Sequence, residues 1–314
     1  MRRQNKLDFY HAPVLLEEVH ALLPNRAAVM IDFTLGGAGH AVRLLTDFPK
    51  LVLWGVDRDN DALIAAKQKL LPFRDRVHLI HDRFSSASRF LIDNHVRADF
   101  ILADLGVSSF QLDQKERGFS FRQDAPLDMR MDRDSPLTAF ELVNNWSEQD
   151  LTAIIRQFGE EPFAKKIAQQ IARQRSKKAL LTTQQLSDCI REAVPKKFQF
   201  GRLHPATRTF QAIRIAVNNE LDELKNLLTN AIELLTPGGR MAIISFHSLE
   251  DREVKKKFHV WEHPCQCPKD IPYCICGLKP VAKTLKPKLI QAGETEMELN
   301  PRSRSAKLRV TEKQ

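Results

Sequence analysis

Three aspartates, each closing a short apolar run, are the residues of this sequence best placed to do chemistry. Asp32 follows Val29-Met30-Ile31, Asp57 follows Leu51-Val52-Leu53-Trp54-Gly55-Val56, and Asp104 follows Phe100-Ile101-Leu102-Ala103. A carboxylate in such a place repels phosphate, attracts a cation and accepts hydrogen bonds from N–H groups. Between the first two lies Gly36-Gly37-Ala38-Gly39-His40, a turn that only small residues make without steric penalty. Asp104 runs into Leu105-Gly106-Val107-Ser108-Ser109, so a carboxylate, a glycine and two hydroxyls fall together. That makes Asp104 the first candidate for catalysis, with a turn cap as the alternative reading.

The elements that must hold these acids are strands. A continuous apolar run bounded by turn residues is the pattern of a strand buried on both faces, and Ala41-Val42-Arg43-Leu44-Leu45 supplies helical spacing between the first two. The result is a βαβ unit with an acid at each strand tip, and hence an α/β fold. Ligands of open α/β sheets lie outside the carboxyl ends of the strands, and an acid about 20 residues after the glycine loop takes a ribose hydroxyl pair. Asp57 therefore marks an adenosine-containing cofactor. A dinucleotide loop needs G-x-G-x-x-G, but after Gly37 and Gly39 the third position is Val42. No phosphate-cradling G-x-x-x-x-G-K-[ST] occurs either. A cationic adenosine compound fits the acids, and S-adenosylmethionine carries that charge. A third strand, Val77-His78-Leu79-Ile80-His81, ends at Asp82-Arg83-Phe84-Ser85. Phe84 there either stacks on an adenine or belongs to the core.

With 314 residues and 36.0 kDa the chain suits one α/β core plus a smaller helical unit. A net charge of +9 and a pI near 9.4 favour an anionic partner, nucleic acid first. The N-terminus lacks the apolar core of a signal peptide, and no run approaches the roughly 18 apolar residues of a membrane span. A cytoplasmic protein without membrane contact is expected. His11-Ala12-Pro13 to Val19 reads as a loop entering a short helix that Pro24 closes.

From Lys115 to about Pro205 the alternation of strand and helix stops. A charged irregular stretch precedes helices whose starts are marked by Ser147 with Asp150 and by Thr182 with Gln185. Between them Lys165, Lys166, Arg173 and Arg175 line one helix face, either as a binding surface or as a solvated one. The segment from Lys196 to Phe210 interleaves cations with Phe198, Phe200 and Phe210, a composition suited to an unstacked nucleic-acid strand. Apolar residues then recur at helical spacing from Phe210 to Leu235, where the core resumes. Pro237-Gly238-Gly239 turns the chain into a strand from Met241 to Ser245, whose tip presents Phe246 and His247. Cys265, Cys267, Cys274 and Cys276 lie within twelve residues. Four thiols so close can ligate zinc, but C-x-C loops close poorly around one ion, and no metal is assigned. The tail from Asn300 to Val310 starts as a basic loop and is expected to finish as an edge strand.

Seven blocks in order carry a family resemblance: Asp32-x-Thr34-x-Gly36 to His40, Asp104 to Ser109, Glu116 to Phe121, Pro126 to Met131, His204 to Ala212, Ser245 to Arg252 and Asn300 to Ser305. Together they resemble the bacterial 16S ribosomal RNA cytosine-N4 methyltransferases, the RsmH or MraW family. The resemblance implies a class I S-adenosylmethionine-dependent methyltransferase core, Rossmann-like with a mostly parallel seven-stranded sheet, formed by residues 1–114 and 206–314. Residues 115–205 would be an inserted helical domain for substrate recognition. It also implies a decoding-centre cytidine of 16S ribosomal RNA as substrate, within the small ribosomal subunit. The cofactor positions it implies are Ala38, Gly39, His40, Asp57, Phe84, Asp104 and Gln111. The family loop reads G-x-G-G-H, so Ala38 replaces a glycine; positive φ there would cost about 1 kcal/mol, and a slightly rearranged turn is expected. Amino methyltransferases of DNA place Pro-Pro-aromatic after the catalytic residue, where this chain has Leu105-Gly106-Val107. A DNA N4-cytosine methylase and a non-enzymatic ribosome-assembly protein are the rival readings.

Overall fold

The computed structural model describes residues 13–201, 203–268, 273 and 275–314, without the side chain of Ser109. His11, Ala12 and Cys274, named above, and Arg202 within the segment from Lys196 to Phe210, lie outside the described residues. Strands β1 (Val29–Asp32), β2 (Val52–Asp57), β3 (Val77–His81), β4 (Ala98–Asp104), β5 (Leu235–Ser245), β6 (Ala282–Thr284) and β7 (Lys307–Lys313) form one sheet. The helices are α1 (Leu16–Leu22), α2 (Gly39–Asp47), α3 (Asn60–Lys69), α4 (Phe84–Asp93), α5 (Ser109–Asp113), α6 (Ala139–Asn145) and α7 (Glu148–Gly159). They continue with α8 (Ala164–Arg175), α9 (Thr183–Ala193), α10 (Thr207–Asn218), α11 (Glu220–Leu234), α12 (Ser248–Glu262) and α13 (Glu294–Leu299). The chain divides into two compact units, one of residues 1–57, 62–106 and 226–314 and one of residues 58–61 and 107–225.

In the first unit the strand order is β3-β2-β1-β4-β5-β7-β6, parallel from β3 to β5, with β7 antiparallel to both its neighbours. The chain runs outward through β1, β2 and β3, then restarts on the other side of β1 with β4. The switch point therefore lies between the tips of β1 and β4, where a crevice for ligand opens in such sheets. The strands read as apolar runs because both faces are covered: Met30, Ile31, Leu53, Phe100, Ile101, Leu102, Ala242, Ile243 and Ile244 are fully buried.

Two sequence expectations change here. The tail strand β7 is interior, not an edge, because β6 pairs on its outer side. Pro237-Gly238-Gly239 does not precede the strand but sits inside β5 as an excursion: Ala98 pairs with Leu235, and the next pairing, Phe100 with Arg240, skips four residues. Gly238 takes φ 72 there, and Thr236 Oγ1 donates to Asp99 Oδ1 at 3.0 Å.

The second unit is a helical bundle around Leu142, Leu151, Ile155, Ile167, Ile171, Leu186, Ile190, Phe210 and Ile213. Its helix starts follow the capping logic of the sequence: Ser147 Oγ accepts from Asp150 N and Thr182 Oγ1 from Gln185 N. The long apolar period from Phe210 to Leu235 is two helices. Asn219, at φ 50, ends α10 before α11 begins. Residues 58–61, 107–114 and 206–225, expected in the sheet core, belong to this unit, where α10 packs on α7.

Candidate active site

Building the site from the backbone up begins at the β1 tip. Asp32 is only 2% exposed, and its Oδ1 accepts the Thr34 N–H at 3.0 Å, turning the chain back on itself. Thr34 in turn reaches the neighbouring tip: its Oγ1 accepts the Asp104 N–H at 2.5 Å. The glycine loop follows, with Gly36 at φ 50 and Ala38 at φ 60, and the Gly36 N–H donates to Asp57 Oδ2 at 2.7 Å. Loop and strand tips are thus tied together through the carboxylates. Ala38 does adopt the left-handed conformation, so the turn keeps the shape a glycine would give it and bears the strain instead of rearranging. Ala38 N–H donates to the Leu35 carbonyl at 2.7 Å, which helps hold it there. At Gly39 a Cβ would collide with the Pro13 ring, which explains the residue without any ligand.

Acid meets acid at this edge. Burial, followed by the charges of Asp32 and Glu250, pushes the Asp104 carboxyl well above its ordinary range. Burial first, and the Asp57 charge among lesser causes, raises Asp32 to about 7. Asp104 Oδ1 is enclosed and has no hydrogen-bond partner among the described residues. A buried acceptor without a donor costs free energy of order 1–3 kcal/mol, and a cluster of acids without a cation costs more. The edge is therefore complementary to a ligand carrying N–H donors and positive charge. It is hostile to phosphate.

The other expected cofactor positions divide. Phe84 begins α4 and is buried, its ring edge-on to Phe33 at 6.2 Å, so it is a core residue at the third strand tip. His40 is buried with Nε2 at 3.0 Å from the Val14 carbonyl, and burial lowers its pKa to about 4. It is a neutral donor that anchors the segment before α1. Gln111 lies in the helical unit with both ends of its amide engaged: Oε1 accepts the Ser108 N–H at 3.1 Å and Nε2 donates to Asp59 Oδ2 at 2.7 Å.

At the β5 tip, His247 is a helix cap whose Nδ1 accepts from Glu250 N, while Glu250 Oε2 accepts the N–H groups of Phe246 and His247. Phe246 is half-buried and lies beside Gly106, at φ 93 directly after the Asp104-Leu105 tip. Sequence reasoning passed over Glu250, although the spacing from His247 is that of a capping box. Thr34 entered only as a position of a resembling block, with no role of its own.

In the helical unit, Lys165, Lys166 and Arg173 are exposed on α8. Arg175 is not part of that basic face. It donates to the Val143 and Trp146 carbonyls. Of the aromatics between Lys196 and Phe210, Phe200 is 89% and Phe198 50% exposed, with Lys197 Nζ 4.9 Å from the Phe198 ring centre. Phe210 is core and meets Phe121, which also stacks on His204 at 4.7 Å.

Residues 8–314 match the model of the MraW methylase family. Relatives named ribosomal RNA small subunit methyltransferase H are similar over almost the whole length. That of Geobacter sp. (strain M21) is 51% identical, over 98% of this chain and 99% of the relative. That of Symbiobacterium thermophilum is 49% identical, over 97% of each. That of Brevibacillus brevis is 45% identical, over 98% of this chain and 99% of the relative.

Proposed function

The chain belongs to the MraW methylase family, and from that membership we propose that it methylates the N4 amine of a decoding-centre cytidine in 16S ribosomal RNA, within the small ribosomal subunit and in the cytoplasm. It is a methyltransferase, and S-adenosylmethionine is the methyl donor. One observation carries the catalytic assignment: the enclosed, unpartnered Oδ1 of Asp104 at the switch point of the sheet.

When bound, S-adenosylmethionine supplies a methyl group made electrophilic by a sulfonium centre. The chain's own residues do the rest. Asp32 and Asp57 offer negative charge and acceptors to a cationic adenosine compound, and a nearby cation brings Asp104 back toward its ionised form. The N4 amine of cytosine shares its lone pair with the ring and is a poor nucleophile. As it attacks, it gains positive charge, and Asp104 Oδ1 accepts its N–H more strongly in the transition state than before it. Phe246, beside Gly106, is suited to hold the base by stacking. Backbone bonding of Asp104 to Thr34 fixes the carboxylate at the tip, so positioning contributes alongside charge.

Residues 115–205 recognise the RNA in this reading, through exposed Lys165, Lys166 and Arg173 and the rings of Phe198 and Phe200. No described helix is long and apolar enough to cross a membrane. Tritiated methyl transfer to small subunits from cells lacking the protein, with the label mapped on the RNA, tests the proposal. Label at a cytidine N4 of 16S RNA is expected; transfer to duplex DNA in preference to subunits would overturn it.

A further inference from the structure

The 263–280 loop, between α12 and β6, has no helix or strand among its described residues. Its described apolar side chains include Tyr273 and Ile275, 81% and 82% exposed, so little burial holds it. Its base is closed, because the Val281 N–H donates to the Trp261 carbonyl at 3.0 Å. A closed loop that buries so little needs another source of order.

Within it the Sγ atoms of Cys265, Cys267 and Cys276 all lie within 4.8 Å of one another. Zinc bound tetrahedrally, with Zn–S of about 2.3 Å, would space thiolates roughly 3.8 Å apart. Small side-chain rotations close that difference. Cys265 and Cys267 are a C-x-C pair, but their sulfurs already lie close to each other and to that of Cys276 from a second segment of the loop, which answers the objection raised by the spacing. The Ile275 N–H points at Cys267 Sγ at 3.4 Å, the backbone support that stabilises a metal-bound thiolate. Gly277, at φ 65 with open space around it, lets the chain turn directly after Cys276.

We propose that Cys265, Cys267 and Cys276 bind one zinc ion that staples this loop. Thiolate sulfur selects zinc over magnesium or calcium. The site is structural, not catalytic: α12 starts at the acid-lined β5 tip and runs 15 residues before the loop, a rise of about 22 Å. Binding displaces thiol protons to solvent and changes no oxidation state.

The test uses the full chain, reduced and purified without chelator from zinc-supplemented cells. Elemental analysis should find one zinc per chain, and cobalt(II) added to the metal-free protein should give a thiolate charge-transfer band. Cys265→Ser, Cys267→Ser and Cys276→Ser should each remove the metal, and Cys189→Ser, at a buried cysteine of the helical unit, should retain it. Zinc should slow proteolysis within the loop on the order of tenfold. Cys274→Ser identifies the fourth donor: loss of metal makes it a thiolate and retention makes it water, and either agrees with the proposal. Absence of zinc together with absence of a cobalt band in folded wild-type protein overturns it. So does a disulfide among these cysteines in freshly reduced protein. Neither readout depends on methyl transfer.

Discussion

Two aspartates with enclosed carboxylate oxygens, one in each unit, show what partnering means. Asp59, 2% exposed, accepts from Arg117 Nη2 at 2.9 Å and from Gln111 Nε2 at 2.7 Å, and its Oδ1 caps α3 by accepting the Asp61 N–H. Arg117 is itself 1% exposed and donates further to the Met131 and Arg130 carbonyls at 2.8 and 3.0 Å. Asp104 has the opposite surroundings: two other acids bear on it, and its Oδ1 has no donor among the described residues. The helical unit spends its buried acid on its own architecture. The sheet unit leaves its acid for something that arrives later.

Removing Asp104 should break the comparison most severely. Asp104→Asn is expected to lower methyl transfer by about 10²–10³-fold, the loss typical of one preorganised charge-stabilising contact, with cofactor binding by calorimetry largely kept. Full turnover with unchanged affinity would mean the vacant acceptor has no catalytic meaning. In the other unit Arg117→Met leaves the buried Asp59 carboxylate without its guanidinium partner. Urea unfolding should show a loss of about 3–5 kcal/mol, much of it recovered by adding Asp59→Asn. Equal losses in single and double variants would show that pairing is not what distinguishes Asp59.

Asp32 sharpens the contrast through pH. In the folded chain it holds its proton to about 7, against 3.8 ordinarily, so its stabilising effect is fully present below 3.8 and is lost as pH rises to about 7. His40 has the opposite sign: its contribution is present above 6.5 and lost as pH falls toward 4. The Asp32→Asn variant should therefore gain stability relative to wild type by about 2–4 kcal/mol as pH climbs through the Asp32 window. Thermal unfolding at several pH values checks this, and a pH-independent difference would sink it. Smallest is Ala38→Gly, expected to raise stability by no more than about 1 kcal/mol by relieving the positive φ. Thermal unfolding showing a loss would mean that the loop is held by something other than its glycine-like geometry.

The sheet unit was largely legible because buried parallel strands announce themselves as apolar runs, and acids after such runs fall at strand tips. Helix starts were legible for a similar local reason: Ser147 and Thr182 carry their own caps. The Asp59–Arg117 pair was not, since its partners are 58 residues apart and Asp59 also fits a capping role that is itself real. Asn219 was missed because apolar spacing continues across the break it makes. The interior place of β7 depends on a three-residue strand, β6, too short to carry a pattern. The His40 side chain read as part of a ligand loop, whereas its hydrogen bond points into the protein.

Because β4 and β5 are neighbours in the sheet but 130 residues separate Asp104 from Leu235, synthesis sets the timetable of folding. At about 5–20 residues per second, the nascent β4 edge waits roughly 7–26 s for its partner while the helical bundle emerges. For that interval its open N–H and C=O row is exposed to any other strand in reach.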